Sequence, residues 1–202
     1  MTAPPSRARR QLSRADILPI EEYVKIRRQR RSEISELKKR RRIEIGPFAT
    51  FYFENFDTMW QQVHEMLYIE KGGEAQIADE LAAYNPLIPQ GGELVATVMF
   101  EIADPTRRAR ALAQLGGLEN HAMIECAIGG GRVRGEADPT RENTSPEGKA
   151  SAVQFIRFAL APQQVAAFKA PGGRIVVGFD HPQYGHMATL PETVRAALAE
   201  DL

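Results

Sequence analysis

From Ile20 to Arg42 the chain runs for 23 residues without a glycine or a proline. The stretch is rich in Arg, Lys, Glu and Gln, whose side chains lose little freedom in a helix. One long helix over Pro19 to Arg42 is therefore expected, with Ser13 and Asp16 as an entry signal and Pro19 in the first turn. Its apolar stripe is thin: Tyr23, Ile26, Ile34 and Leu37, with Arg30 filling the gap at helical spacing. Such a stripe buries little area, so the helix is expected to lie across a surface or to protrude. The pairs Glu21–Lys25 and Glu36–Arg40 each add only ~0.2–0.5 kcal/mol.

The same region carries most of the positive charge. Residues Met1 to Arg42 hold fourteen Lys or Arg against five Asp or Glu, and the remaining 160 residues hold twelve against twenty-one. A net charge of zero thus hides a basic front on an acidic body, which bears on partners rather than on fold. Hydrophobic content of 43% is ordinary for a globular protein. No apolar run approaches the ~20 residues of a membrane helix. The Arg-containing amino terminus has no apolar stretch behind it, as a secretory signal would. A single cysteine, Cys126, excludes an intrachain disulfide, and an iron–sulfur cluster or zinc ribbon built by this chain alone. A cytoplasmic protein without a membrane partner is the expectation.

Beyond Arg42 the pattern shortens and becomes punctuated. Ile43–Ile45 and Ala49–Phe53 read as strands around Gly46-Pro47, and Asp57 as the cap of a helix to about Glu70 with Trp60, Val63 and Leu67 inward. Gly72-Gly73 ends that helix, Glu74–Ala83 makes another, and two prolines make Tyr84–Pro89 non-helical. Glu93–Ile102 is the clearest strand, with Leu94, Ala96, Val98 and Phe100 on one face. A helix from Asp104-Pro105 to about Leu115 follows, then a hairpin of His121–Ile128 and Arg132–Ala137 about Gly129-Gly130-Gly131. Asp138–Lys149 is a polar loop, Ser151–Leu160 a strand and Pro162–Phe168 a short helix. Strands at Arg174–Asp180 and His186–Leu190 precede a closing helix, Pro191–Leu202. This order does not alternate as in a doubly wound fold. It predicts an α+β protein: a disordered basic tail (1–13), a basic helix (14–42), and one domain (43–202) built on a largely antiparallel sheet with short packing helices.

Three regions carry candidate chemistry. Asp180-His181-Pro182-Gln183-Tyr184-Gly185-His186 sets two imidazoles, a carboxylate and a phenol at a strand exit, where scaffolds usually aim functional groups. His181 and His186 could bind a divalent transition metal, with Asp180 as ligand or orienting group, although the spacing matches no strong metal motif; a hydrogen-bonded turn explains the same residues. Glu54-Asn55-Phe56-Asp57 leads into the helix carrying His64, Glu65 and Tyr68, expected on its partly polar side. Tyr84 and Asn85, presented rigidly by the following prolines, could line a pocket or simply pack. One pocket of Glu54, Asn55, Glu65, Tyr84, Asn85, His181, Tyr184 and His186 requires the Phe53–Asp57 segment and the Asp180–His186 turn to meet. Neither His-Glu-x-x-His nor Gly-x-Ser-x-Gly occurs, and no catalytic residue is assigned. On the basic helix, Arg27, Arg28, Arg30 and Arg31 favour docking to an acidic protein surface. Nucleic acid is the weaker reading, because few aromatics are interleaved.

The runs Arg14-Ala15-Asp16-Ile17-Leu18, Phe53-Glu54-Asn55-Phe56-Asp57-Thr58 and His64-Glu65-Met66-Leu67 share their order with Ala83-Tyr84-Asn85-Pro86-Leu87-Ile88-Pro89 and the Asp180–His186 run. Together they resemble the bacterial domain-of-unknown-function family 3501 over nearly all of Ser13–Leu202. The resemblance implies genes beside a rubrerythrin-like di-iron protein and an iron–sulfur oxidoreductase subunit, hence an accessory role in iron-dependent redox or peroxide defence. It also implies Gln in place of His64 in many relatives, which argues against a ligand role there.

Overall fold

The computed structural model describes residues 10–126 and 130–202. The long basic segment forms helix α1, Ile20–Lys39, shorter at both ends than expected. Pro19 is its cap, preceded by a single 3-10 turn at Arg14–Asp16, and Arg42 already belongs to the first strand. Glu21 and Glu22 lie in the first turn and Lys38 and Lys39 in the last, each sign at the helix end its charge favours.

The strands are β1 (Arg42–Ile45), β2 (Ala49–Phe53), β3 (Glu93–Phe100), β4 (Ala122–Cys126), β5 (Gly131–Arg134), β6 (Glu136–Ala137), β7 (Val153–Ala159), β8 (Ile175–Phe179) and β9 (Met187–Thr189). Every pairing between them is antiparallel, as expected, but they divide into two sheets, ordered β1-β2-β3-β7-β6 and β5-β4-β8-β9. The chain changes sheet at Gly135, between β5 and β6. A side chain there would place its Cβ 2.5 Å from Ile156, so only glycine fits the corner. Residues 127–129 of the predicted Gly hairpin, and residues 1–9 of the predicted tail, lie outside the described residues.

The sheets face each other across the main core. Phe51 of the first sheet and Phe179 of the second bring their ring centres to 5.1 Å, and Leu94, Val98, Phe158 and Val177 are fully buried around them. Each such side chain contributes roughly 1.5–3 kcal/mol of burial. Helices α5 (Pro162–Lys169) and α6 (Glu192–Ala199) supply Phe168, Val194 and Leu198 to the same core.

The outer face of the five-stranded sheet carries a second layer. Helices α2 (Phe56–Glu70) and α3 (Gly73–Tyr84) join α1 there, in a core of Tyr23, Trp60, Val63, Leu67, Ile77 and Val95. Trp60, Val63 and Leu67 point inward as the periodicity predicts. The cap of α2 is Asn55 rather than Asp57, because Asn55 accepts the Thr58 backbone N–H and Thr58 returns the bond. After α3 the chain takes a 3-10 turn at Asn85–Leu87, so the Tyr84–Pro89 segment is helical at its start despite its prolines. The remaining helix, α4 (Pro105–Leu112), is capped by Asp104 and ends one turn before Leu115.

The chain expected to be disordered through Ser13 is already part of the fold at Arg10. Leu12 is 1% exposed, and Asn85 clamps its backbone, accepting its N–H at 2.7 Å and donating to its carbonyl at 2.9 Å.

Candidate functional site

The Asp180–His186 turn leaves the second sheet at the end of β8. Pairing of β4 with β8 sets His121 beside Asp180, whose N–H donates to the His121 carbonyl. The Asp180 carboxylate takes the Arg134 guanidinium at 2.6 Å, His121 Nδ1 at 3.0 Å and Arg132 at 3.3 Å. The hydrogen bond from Arg134 holds the Asp180 carboxyl well below the usual carboxylate range. His121, Arg132 and Arg134 were missed in the sequence, although the alternation Arg132-x-Arg134 on a strand places both on one face.

His181 and His186 do not converge. The buried His181 ring packs edge-on against His121 at 5.0 Å and accepts the Gln183 N–H through Nδ1 at 3.2 Å; it also hydrogen-bonds the Gly116 backbone. Burial, helped by the charge of His121, lowers its pKa. The exposed His186 ring turns instead onto Tyr184 at 4.6 Å and over Gly46, where a Cβ would sit 2.5 Å from the imidazole. Gly46 also has φ +63°, so glycine is required twice over. Among the described residues no three His, Cys, Asp or Glu side chains gather as metal ligands would. Tyr184 is a joint: its buried hydroxyl donates to the Ile45 carbonyl at 2.7 Å and accepts the N–H groups of Phe48 (2.9 Å) and Ala49 (3.0 Å). Burial raises its pKa.

Glu54 and Asn55 lie at the other end of β2 from Tyr184. A five-residue strand separates them, roughly 15 Å at about 3.4 Å per residue. The single pocket therefore does not form. Glu54, 5% exposed, accepts the Thr97 hydroxyl at 2.7 Å through one oxygen, while Oε2 has no hydrogen-bond partner. Tyr84 makes a long 3.4 Å bond with Gln62, and Asn85 serves the amino-terminal clamp.

Glu65 is the acceptor at the α1–α2 interface. It takes the Tyr23 hydroxyl at 2.6 Å, both arms of Arg27 at 2.8 Å and the Gln61 amide at 3.0 Å. Burial pushes its pKa up, but the hydrogen bonds from Arg27 and Tyr23 outweigh it and hold the carboxyl below its ordinary value. Arg27 also lies over the Tyr68 ring at 4.2 Å. Arg30 lies over Trp60 at 4.9 Å and pairs with Glu33 at 2.7 Å and more loosely with Asp57 at 3.8 Å. Two of the four arginines assigned to docking are thus taken up by the protein itself, while Arg28 and Arg31 are exposed.

His64, expected on a polar side, is 1% exposed between Trp60 and Tyr23, with ring centres at 3.9 and 4.8 Å. Its Nε2 accepts the Leu18 N–H at 3.0 Å, so the proton sits on Nδ1, which donates to the Trp60 carbonyl at 2.8 Å. Burial pulls its pKa down to about 4. Arg41, likewise buried, pairs with Asp201 and reaches the carbonyls of Phe53, Glu54 and Ala197.

These bonds define a class: a two-sheet α+β protein with an added helix layer, whose conspicuous polar side chains join elements to one another. Its shape is shared. A crystallised protein of unknown function from Burkholderia pseudomallei K96243 superimposes with a TM-score of 0.87 and 39% identity, over 95% of this chain and 99% of that one. The comparison with curated proteins finds no match. The profile of a family described as protein of unknown function (DUF3501) matches residues 11–202, and the chain belongs to that family.

Proposed function

We propose that the protein is a cytoplasmic accessory protein that docks to acidic protein surfaces through the outward face of α1. The observation that carries this reading is the division of labour among its cations. Tyr23, Arg27, Arg30 and Ile34 face the body, whereas Lys25 and Arg28 stand exposed on the other side and Arg31 is exposed on the flank beside Arg27. Exposed cations of this kind steer encounter and set partner choice more than they hold the fold. The resemblance to proteins encoded beside rubrerythrin-like and iron–sulfur proteins supplies the partner class, in an iron-dependent redox or peroxide-defence system. Among the described residues no helix is long and apolar enough to cross a membrane.

The test separates docking from folding. A variant with Arg28→Glu and Arg31→Glu should lose the partners that the wild-type chain captures from its native host. Its unfolding free energy should change by no more than about 0.5 kcal/mol, as for surface sites. Rubrerythrin-like or iron–sulfur partners captured equally well by this variant would end the proposal.

A further inference from the structure

The segment before α1 roofs a cavity of about 410 Å³ between the end of α2 and the start of α3. Leu18, Leu67 and Ile77 form its apolar walls. His64 forms another wall and makes no polar demand on an occupant, since both ring nitrogens are already bonded to Leu18 and Trp60. The size falls in the lower part of the roughly 300–1,000 Å³ range of small-molecule sites.

The mouth is charged. Arg14 and Glu74 face each other across part of it and neutralise one another, with Arg14 NH2 donating at 2.8 Å. That leaves Lys71 as the one lining cation without a carboxylate partner among the described residues. Lys71 is also the one non-glycine residue with positive φ among them, at 56°. This left-handed helix end is usually occupied by glycine or asparagine, and a lysine there is strained. Lys71 is exposed where it lines the apolar chamber.

We propose that the cavity binds a small amphipathic monocarboxylate, its apolar body against Leu18, Leu67 and Ile77 and its carboxylate at Lys71. A neutral hydrocarbon leaves Lys71 unmatched, and a dianion meets Glu74 across the mouth with one net positive charge to hold it. The site is independent of the docking reading, because neither Arg28 nor Arg31 lines it.

Decanoate is the probe, with decanol as its uncharged counterpart. Trp60, the single tryptophan of the chain, stacks on His64 at 3.9 Å and provides a fluorescence signal beside calorimetry. Decanoate should saturate at one molecule per chain and bind more tightly than decanol. Lys71→Gln should weaken it about tenfold, and Ile77→Phe, which narrows the chamber, should weaken it too. Thermal unfolding of both variants checks that they fold, and Lys71→Gln alone decides if Ile77→Phe does not. Failure of decanoate to saturate, equal binding of decanol, or affinity unchanged by Lys71→Gln would each overturn the assignment. Affinity unchanged in a folded Ile77→Phe variant would do the same, by placing the ligand outside the chamber.

Discussion

Replacing Arg41 by methionine should remove about 3–5 kcal/mol of stability, the cost of leaving a buried charge without its partner. Arg41 is 3% exposed, where α1 hands over to β1. Its guanidinium donates to the Phe53 carbonyl at 3.0 Å, the Glu54 carbonyl at 3.1 Å and the Ala197 carbonyl at 3.3 Å, besides its ion pair with Asp201. It thereby ties the end of β2 to the carboxy-terminal helix. Methionine fills much of the volume but satisfies none of these acceptors. Burial already pushes the Asp201 carboxyl up, opposed by the charge of Arg41, and removing that charge leaves the carboxylate to protonate or to draw in water. Urea unfolding measures the loss. Adding Asp201→Asn to the Arg41 variant should recover part of it, because a neutral amide tolerates the site better. A loss below about 1 kcal/mol would show that the joint is incidental.

Acid should weaken the fold through His64. Its pKa is 6.5 as a free side chain and about 4 in the folded protein. Between these values the unfolded chain binds a proton that the folded chain refuses. The stabilisation is therefore whole above pH 6.5 and drains away as the pH falls toward 4, about 3 kcal/mol in all. Burial is the main cause; Arg30 adds to the lowering, while the bond to Trp60 and the charge of Glu65 oppose it. His64→Gln keeps an oxygen that can accept the Leu18 N–H and has nothing to titrate. Its unfolding free energy, measured in urea at a series of pH values, should lack this slope, while other acid-sensitive groups act on both proteins alike. Parallel profiles for the two proteins would refute the assignment.

The elements that the sequence disclosed are those whose signal is local. Leu94, Ala96, Val98 and Phe100 alternate, and Trp60, Val63 and Leu67 recur at helical spacing, so a face could be assigned before any partner was known. The division into two sheets was not readable, because it rests on contacts between distant parts of the chain, such as the corner that Gly135 turns against Ile156 between β5 and β6. Helix α1 buries more than its thin stripe suggested, since the Tyr23 hydroxyl and the Arg27 and Arg30 stems extend the buried face. Leu12 was hidden by its Pro-, Ser- and Arg-rich surroundings; Asn85, far along the chain, fixes it.

The site fared differently for a geometric reason. Seven residues from Asp180 to His186 hold much chemistry, but sequence proximity carries no direction. The turn at Tyr184 sends one imidazole toward His121 and the other toward Gly46. The length of β2 then keeps Glu54 away from both. Lys71 left no motif at all, since a left-handed lysine beside two glycines reads as an ordinary helix stop.

Strand β3 works as a party wall. Leu94 and Val95, neighbours in sequence, face the aromatic interior on one side and the helical annex on the other. Damage to this strand cannot be confined to one compartment: the annex and the sandwich are yoked at the backbone, and what loosens one robs the other of its floor.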